Sequence, residues 1–409
     1  HQSLEAPTAD FTVNISGSNS SDGLLTLGEQ LTLDAGPSRA HPNQPSELRI
    51  GWAVLPPDSS LQPEAFQVGP RLAFKPDSMG LHVFQLIVQD NRGVCASKDF
   101  KLSVTSNEPF QRRKESSRPD TFSLTRFTHL AELKAQKSWT IGEGRGIKIA
   151  VIDSGVNYNH PYLQANIATR FSEIPNNHRD DDQNGFVDDF AGFDFQHDDA
   201  WPFDDMGHGS HVGALAASPQ FGMARKAQII PIKALGALGG DVATIVAAIR
   251  YGVDSGAHIL NMSFGGFGKS HPELVKAIDY AENRGVAIIA AAGNGHPRYG
   301  YGLNIDRTPY FPAHLHHKNL TVVAAKTQKS QLTSYSNYGP KSVDVVAPGG
   351  EMPDAPIYSA TMKNPRNQKI KAMSGTSMAT PLVAGIFAQV WSRHPHLSAA
   401  QVKEALLKA

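Results

Sequence analysis

From Gly146 onward, short and largely apolar runs alternate with stretches of helical spacing, and this alternation restricts the possible folds more than any other feature. Ile147-Lys148-Ile149-Ala150-Val151-Ile152, Gln228-Ile229-Ile230-Pro231-Ile232, His258-Ile259-Leu260-Asn261-Met262 and Val286-Ala287-Ile288-Ile289-Ala290 read as strands. Residues 241–255 and 272–284 instead carry apolar side chains at i, i+3 and i+4. Strands with so little polar alternation are covered on both faces, and helices between them make the sheet parallel. An α/β fold with helices on both faces of a parallel sheet follows. In such sheets chemistry gathers at the C-terminal strand ends, so polar residues just beyond these runs are the candidates for function.

The first hundred residues are written differently. Short alternating strands such as Gln30-Leu31-Thr32-Leu33-Asp34 are broken by turns such as Ala35-Gly36-Pro37, with no helical period. The clearest strand, His82 to Asp90, follows Gly80 and precedes Asn91-Arg92-Gly93, so Phe84, Leu86 and Val88 share one face. Between the two regions, Ser106 to Asp120 is polar, charged and Pro-bounded, which is linker composition. With 409 residues the chain exceeds what one core serves. The expected organisation is an all-β sandwich over 1–107, a linker over 108–121 and the α/β domain over 122–409.

Charge and cysteine content narrow the partners. Lys plus Arg balance Asp plus Glu at 38 each, and the basic run Gln111-Arg112-Arg113-Lys114 is short, so no nucleic-acid partner is expected. No stretch approaches the roughly 18 consecutive apolar residues of a membrane helix, so no membrane span is expected. The single cysteine, Cys95, excludes an intramolecular disulfide and is read as a buried strand residue. The chain begins at His1 without Met, which reads as removal of a leader or tag.

Four polar segments carry the chemistry. Asp153 follows a buried strand, where a carboxylate can stay ionised by accepting a hydrogen bond from an imidazole and so fix its tautomer. His208 opens a small-residue stretch, Gly207-His208-Gly209-Ser210-His211-Val212-Gly213, whose glycines allow close backbone approach. His211, one turn on, reads as a packed structural histidine, since no third ligand completes a zinc site. Ser377, in Gly375-Thr376-Ser377-Met378-Ala379-Thr380-Pro381, precedes an apolar helix expected from about Leu382 to Trp391. A serine there sits among free N–H groups that can hold an oxyanion. Asn294 leaves the run Ala290-Ala291-Ala292-Gly293 with an amide able to donate to the same charge. Alone, each has an ordinary reading as a cap or turn residue.

Together, in the order Asp, His, Asn, Ser, these segments resemble the subtilase family across about 122–409. The resemblance implies a secreted serine endopeptidase acting on protein or peptide substrates. It makes Asp153 the orienting acid, His208 the general base, Ser377 the nucleophile and Asn294 an oxyanion donor. It further implies that Ser263, Phe264 and Gly265 bind an extended peptide as an added strand, with Ala291 to Gly293 forming the opposite wall of the specificity pocket. Ser210 and Gly213 stand where the family commonly has Thr and Ala, and Tyr310 falls near the pocket floor, which makes the pocket shallower. A catalytically silent binding scaffold is the alternative, against which the intact four residues argue. In the front region, Gly80-x-His82-x-Phe84-x-Leu86-x-Val88-x-Asp90-x-x-Gly93, with Leu31-Thr32-Leu33-Asp34-Ala35 and Trp52, resembles a PKD-type immunoglobulin-like domain. That implies substrate or surface adhesion, or a spacer.

The stretch Asp180-Asp181-Asp182-Gln183-Asn184-Gly185-Phe186-Val187-Asp188-Asp189 begins like an EF-hand loop. It offers oxygens from Asp180, Asp182, Asn184 and the Phe186 carbonyl. Position 12 is Ala191, so Asp188 or Asp189 completes the shell, and calcium is the expected cofactor. Asp198, Asp199, Asp204 and Asp205 are read as solvated acids.

Overall fold

The structure, a computed structural model, describes residues 9–16, 25–26, 30–36, 38, 49–55, 65–75, 80–89, 95–105, 126–170, 172–175, 177–236, 239–268, 270–295, 300–361 and 370–408. These residues fall into two compact units, one made of those up to 105 and the other of those from 126. The linker expected between them lies outside the described residues, as does the side chain of Cys95.

In the smaller unit the described elements are all strands: β1 Thr12–Ser16, β2 Leu25–Thr26, β3 Gln30–Asp34, β4 Arg49–Leu55, β5 Ala65–Val68, β6 Arg71–Phe74, β7 Gly80–Gln89 and β8 Cys95–Thr105. They form one sheet in the order β1-β3-β6 and another in the order β2-β8-β7-β4-β5. Alternation does the work foreseen from the sequence: Leu31 and Leu33 of β3 and Leu72 of β6 share a core with Trp52 of β4 and Phe84, Leu86 and Val88 of β7. Phe74 and Phe84 meet edge to face at 5.3 Å, as do Phe11 and Trp52 at 5.6 Å.

The larger unit contains β9 Lys148–Asp153, β10 Phe193–Asp194, β11 Gln228–Lys233, β12 Ile259–Met262, β13 Gly266–Phe267, β14 Ala287–Ala291, β15 Tyr310–Phe311, β16 Leu320–Lys326, β17 Val345–Pro348, β18 Ile357–Ala360 and β19 Ile370–Met373. Its helices are α1 Thr128–Glu132, α2 Ala135–Ile141, α3 His208–Ala217, α4 Val242–Asp254, α5 Pro272–Asn283, α6 Thr376–Arg393 and α7 Ala399–Leu407. Seven strands make a parallel sheet in the order β10-β11-β9-β12-β14-β16-β17. Ala150, Ile152, Leu260, Met262, Ile288 and Ala290 point to one face, where Ile245 and Ile249 of α4 and Ile278 of α5 cover them. On the other face α3 packs on β9 and β11, with Gly213 within reach of Val151 and Ile229, while α6 crosses β12, β14, β16 and β17. Helix α4 starts where the sequence marks it, because the Asp241 carboxylate accepts the Thr244 N–H at 2.8 Å.

Register fixes where the strand ends fall. Ile152 of β9 lies beside Met262 of β12, and Met262 beside Ala290 of β14. One residue further along β9 and β12 come Asp153 and Ser263, so two of the sequence candidates emerge side by side at one sheet edge.

Candidate active site

Asp153 is fully buried at the last position of β9. Its Oδ1 accepts Nδ1–H of His208 at 2.7 Å and the Ser154 N–H at 2.8 Å, while Oδ2 is buried without a hydrogen-bond partner. His208 opens α3, and 30% of its side chain remains exposed. A Cβ at Gly209 would run into the Gly155 carbonyl, so a glycine there lets the first turn of α3 meet the turn after β9. Burial disfavours the charged imidazole of His208, but the Asp153 carboxylate and its hydrogen bond, with Asp204 behind them, outweigh this and raise its pKa. His211 is buried as expected, its Nε2 3.1 Å from the Ile357 carbonyl, and its pKa is pushed down to about 3 by burial and by His208.

Ser377 lies in the first turn of α6, half-buried, its hydroxyl donating to the Ser263 carbonyl at 2.9 Å. Ser263 reciprocates: its Oγ donates to the Ser377 carbonyl at 3.1 Å and accepts Asn261 Nδ2 at 3.0 Å. The helix begins at Thr376 and not near Leu382, with Pro381 inside it. A proline four residues after Ser377 lacks the N–H that would bond the Ser377 carbonyl, which is thereby free for Ser263. Asn294 Oδ1 accepts from the Thr376 N–H at 2.8 Å and the Thr376 hydroxyl at 2.9 Å. That anchors the oxygen end of the amide on the helix start and leaves Nδ2, which lies beside Gly375, as a donor.

The slot between the two strand exits is closed at one side by Tyr310 of β15. Its ring stands against both Gly265 and Gly293, where a Cβ would collide with it, 2.5 Å from Tyr310 Cζ in the case of Gly293. The ring meets Phe267 edge to face at 4.9 Å, and burial pushes the phenol pKa up to about 12. Ala291 is buried, Phe264 half-buried and Gly265 exposed beside it.

The acidic loop behaves differently for different members. Asp180 accepts the N–H groups of Asn184 and Gly185 at 3.0 and 2.8 Å, and Asp188 those of Asn177 and His178 at 3.0 and 2.9 Å. Phe186 packs its ring on Phe193 and Tyr251 at 4.8 and 4.9 Å. Carboxylate oxygens of Asp182 and Asp189 converge instead with Glu173, all within 4.8 Å of one another. Glu173 was not foreseen from the sequence. It is 2% exposed, its Oε2 has no partner, and burial, with Asp189, Asp182 and Asp181 nearby, raises its pKa. Arg170 also reaches Asp182 and Asp189, at 3.1 and 3.2 Å, and Asn184 Nδ2 donates to Asp189 at 3.1 Å.

The second acidic stretch corrects the sequence reading. Asp198 is exposed, but Asp204 and Asp205 are buried and Asp199 is half-buried, its pKa pushed up to about 6 by burial and by Asp194. Asp205 answers Lys233, fully buried at the end of β11, whose ammonium lies 2.9 Å from Asp205 and 3.7 Å from Asp194 and donates to the Phe203 carbonyl, whereas Asp204 is met by hydrogen-bond donors. A buried cation needs buried anions, and the loop folds inward to supply them.

A parallel sheet whose adjacent strand ends carry a buried carboxylate–imidazole pair and a helix-borne serine defines an α/β hydrolytic type of site. Comparison with known proteins agrees. The family model described as "Subtilase family" matches residues 144–409. Thermitase of Thermoactinomyces vulgaris is 33% identical over 62% of this chain and 78% of its own length. The thermophilic serine proteinase of Bacillus sp. (strain AK1) is 35% identical over 63% of this chain, which spans 55% of that relative's length. A crystal structure of a cold adapted subtilisin-like serine proteinase superposes with a TM-score of 0.51 at 28% identity, covering 65% of this chain and 83% of that one. The chain belongs to the subtilase family of serine endopeptidases.

Proposed function

We propose that residues 122–409 form a peptidase domain that cleaves peptide bonds through an acyl-enzyme on Ser377. His208 Nε2 takes the hydroxyl proton as Oγ attacks the scissile carbonyl, and Asp153 holds the imidazole by Nδ1 and stabilises the imidazolium that forms. The tetrahedral oxyanion receives a hydrogen bond from Asn294 Nδ2 and from the N–H of Ser377 at the start of α6; one such donor is worth about 3–4 kcal/mol. His208 then gives its proton to the leaving amine, and water, deprotonated by the same imidazole, releases the acyl group. The substrate lies extended along Ser263, Phe264 and Gly265, with its side chain between this segment and Ala291 to Gly293. The observation that carries the reading is the 2.7 Å bond from a buried Asp153 at the end of β9 to His208, with the Ser377 hydroxyl bonded to Ser263 just past the end of the neighbouring β12.

Calcium fits the acidic loop on this chain's own chemistry: an unpartnered buried carboxylate oxygen on Glu173 faces two further carboxylates. Glu173, Asp182 and Asp189 would hold the ion, with Asp180, Asn184, the Phe186 carbonyl and Asp188 shaping the loop or adding oxygens. The ion supplies charge neutralisation that steadies the fold. We read residues 1–107 as a PKD-like sandwich serving adhesion or spacing, 108–121 as its linker, and the protein as secreted. Among the described residues no helix is long and apolar enough to cross a membrane. The test is covalent labelling of Ser377 by an organophosphate together with peptide hydrolysis: both are expected in the wild type and both lost in Ser377→Ala. A folded wild type that neither cleaves nor labels overturns the proposal and favours a silent scaffold.

A further inference from the structure

Asp204 sits at the centre of the framework around His208. It is fully buried, and each contact brings it a hydrogen: Oδ1 accepts the Ser154 hydroxyl at 2.8 Å, the Met206 N–H at 3.0 Å and the Gly207 N–H at 2.8 Å, and Oδ2 accepts the Ser210 N–H at 2.7 Å. Met206 and Gly207 precede His208 and Ser210 follows it, so one carboxylate holds both sides of the histidine. Through Ser154 it also reaches the acid. The Ser154 Oγ accepts the Gly209 N–H at 3.0 Å, and the Ser154 N–H donates to Asp153 Oδ1, the same oxygen that accepts His208 Nδ1.

We infer that Asp204 is a positioning residue that sets both the orientation and the basicity of His208. The inference rests on the proposed role of His208 as general base. Orientation follows from the bonds: without Asp204 the turn after β9 and the first turn of α3 lose their common anchor, and the Asp153–His208 geometry is no longer clamped from behind. Basicity follows from charge. Burial, with Asp205 nearby, pushes the Asp204 pKa up, but the four incoming donors favour the ionised carboxylate, because an acid proton would have to compete with hydrogens already pointing at both oxygens. That negative charge lies behind the imidazole, in a place where water does not screen it. Other charged or titratable groups around it are Asp153 at the end of β9, Lys233 at the end of β11 with its partners Asp205 and Asp194, His197 and Asp199 beside that group, and His208 and His211 on α3.

The experiment compares the full chain with Asp204→Asn and Ser154→Ala. Asp204→Asn is expected to lower kcat by about tenfold or more with KM within about twofold, since the loss falls on proton transfer and not on substrate binding. It is also expected to move the acid limb of kcat/KM to lower pH by roughly half a unit or more, because the imidazolium loses a stabilising charge. Ser154→Ala, a milder change that keeps the carboxylate, is expected to lower kcat less, again with KM unchanged. NMR titration of His208 in a Ser377→Ala background reads the same shift without turnover, so it separates this inference from the proteolytic reading itself. A folded Asp204→Asn with wild-type kcat and an unmoved His208 titration overturns the inference. If that variant does not fold, a wild-type kcat in Ser154→Ala overturns the positioning role of Asp204.

Discussion

His129 on α1 is fully buried, both ring nitrogens lack hydrogen-bond partners, and burial drives its pKa down to about 3. Unfolded, the same group titrates near 6.5. Between those values the unfolded chain binds a proton that the folded chain refuses, so stability is complete above the unfolded value and drains away as pH falls towards 3. At 1.36 kcal/mol per unit, the penalty is about 0.2 kcal/mol at pH 7 and about 2.7 kcal/mol at pH 4.5. Replacing His129 with Phe, which can join Phe127 and Phe221 in the same cluster, removes both that penalty and two unsatisfied buried atoms. Guanidinium unfolding of Ser377→Ala and Ser377→Ala/His129→Phe, followed by tryptophan fluorescence at pH 7 and pH 4.5, measures the difference. The double variant is expected to lose about 2.5 kcal/mol less between the two pH values, while His211, present in both, cancels. Equal losses in the two proteins would refute the reasoning.

Peptidase activity is expected to rise with pH through a midpoint above about 6.5, since His208 works as a base only when neutral and its neighbours hold its pKa up; a midpoint below that value in a kcat/KM profile counts against the assignment. Tyr310→Ala should open the slot between Gly265 and Gly293, raising the kcat/KM ratio for Phe over Ala at the residue before the scissile bond by about tenfold or more, with an unchanged ratio showing that the ring does not bound the pocket. Chelator should lower the melting temperature of Ser377→Ala by several degrees, and Glu173→Gln should lose much of that sensitivity; identical melting with chelator and with millimolar calcium would remove the ion from the account.

The parallel sheet was readable because β9, β11, β12 and β14 are apolar on both faces, which marked Asp153 and Asn294 just beyond strand runs, whereas the roles of all four candidates, His208 and Ser377 on helices included, came from the resemblance to the subtilase family. β17 hid because Val345–Pro348 is four residues ending in proline, too short to carry a period. The start of α6 was misplaced because proline ordinarily opens a helix, whereas here its missing N–H falls opposite a carbonyl that Ser263 satisfies. Burial of charge was the least legible part. Nothing local distinguishes Asp204 and Asp205 from Asp198; a lysine from a distant strand meets Asp205, and the Ser154 hydroxyl and the N–H groups around His208 meet Asp204. Glu173 falls outside the spacing of the acidic loop, so it carried no signal until the chain brought it back onto Asp182.

The paired bonds between Ser263 and Ser377 tie two jobs to one hinge-free joint. A rung that the helix ladder gives up at Pro381 becomes a strut to the very ledge on which a peptide would rest. Any tilt of the helix then carries the ledge with it, so the spacing between the Ser377 hydroxyl and the Ser263 backbone is preserved.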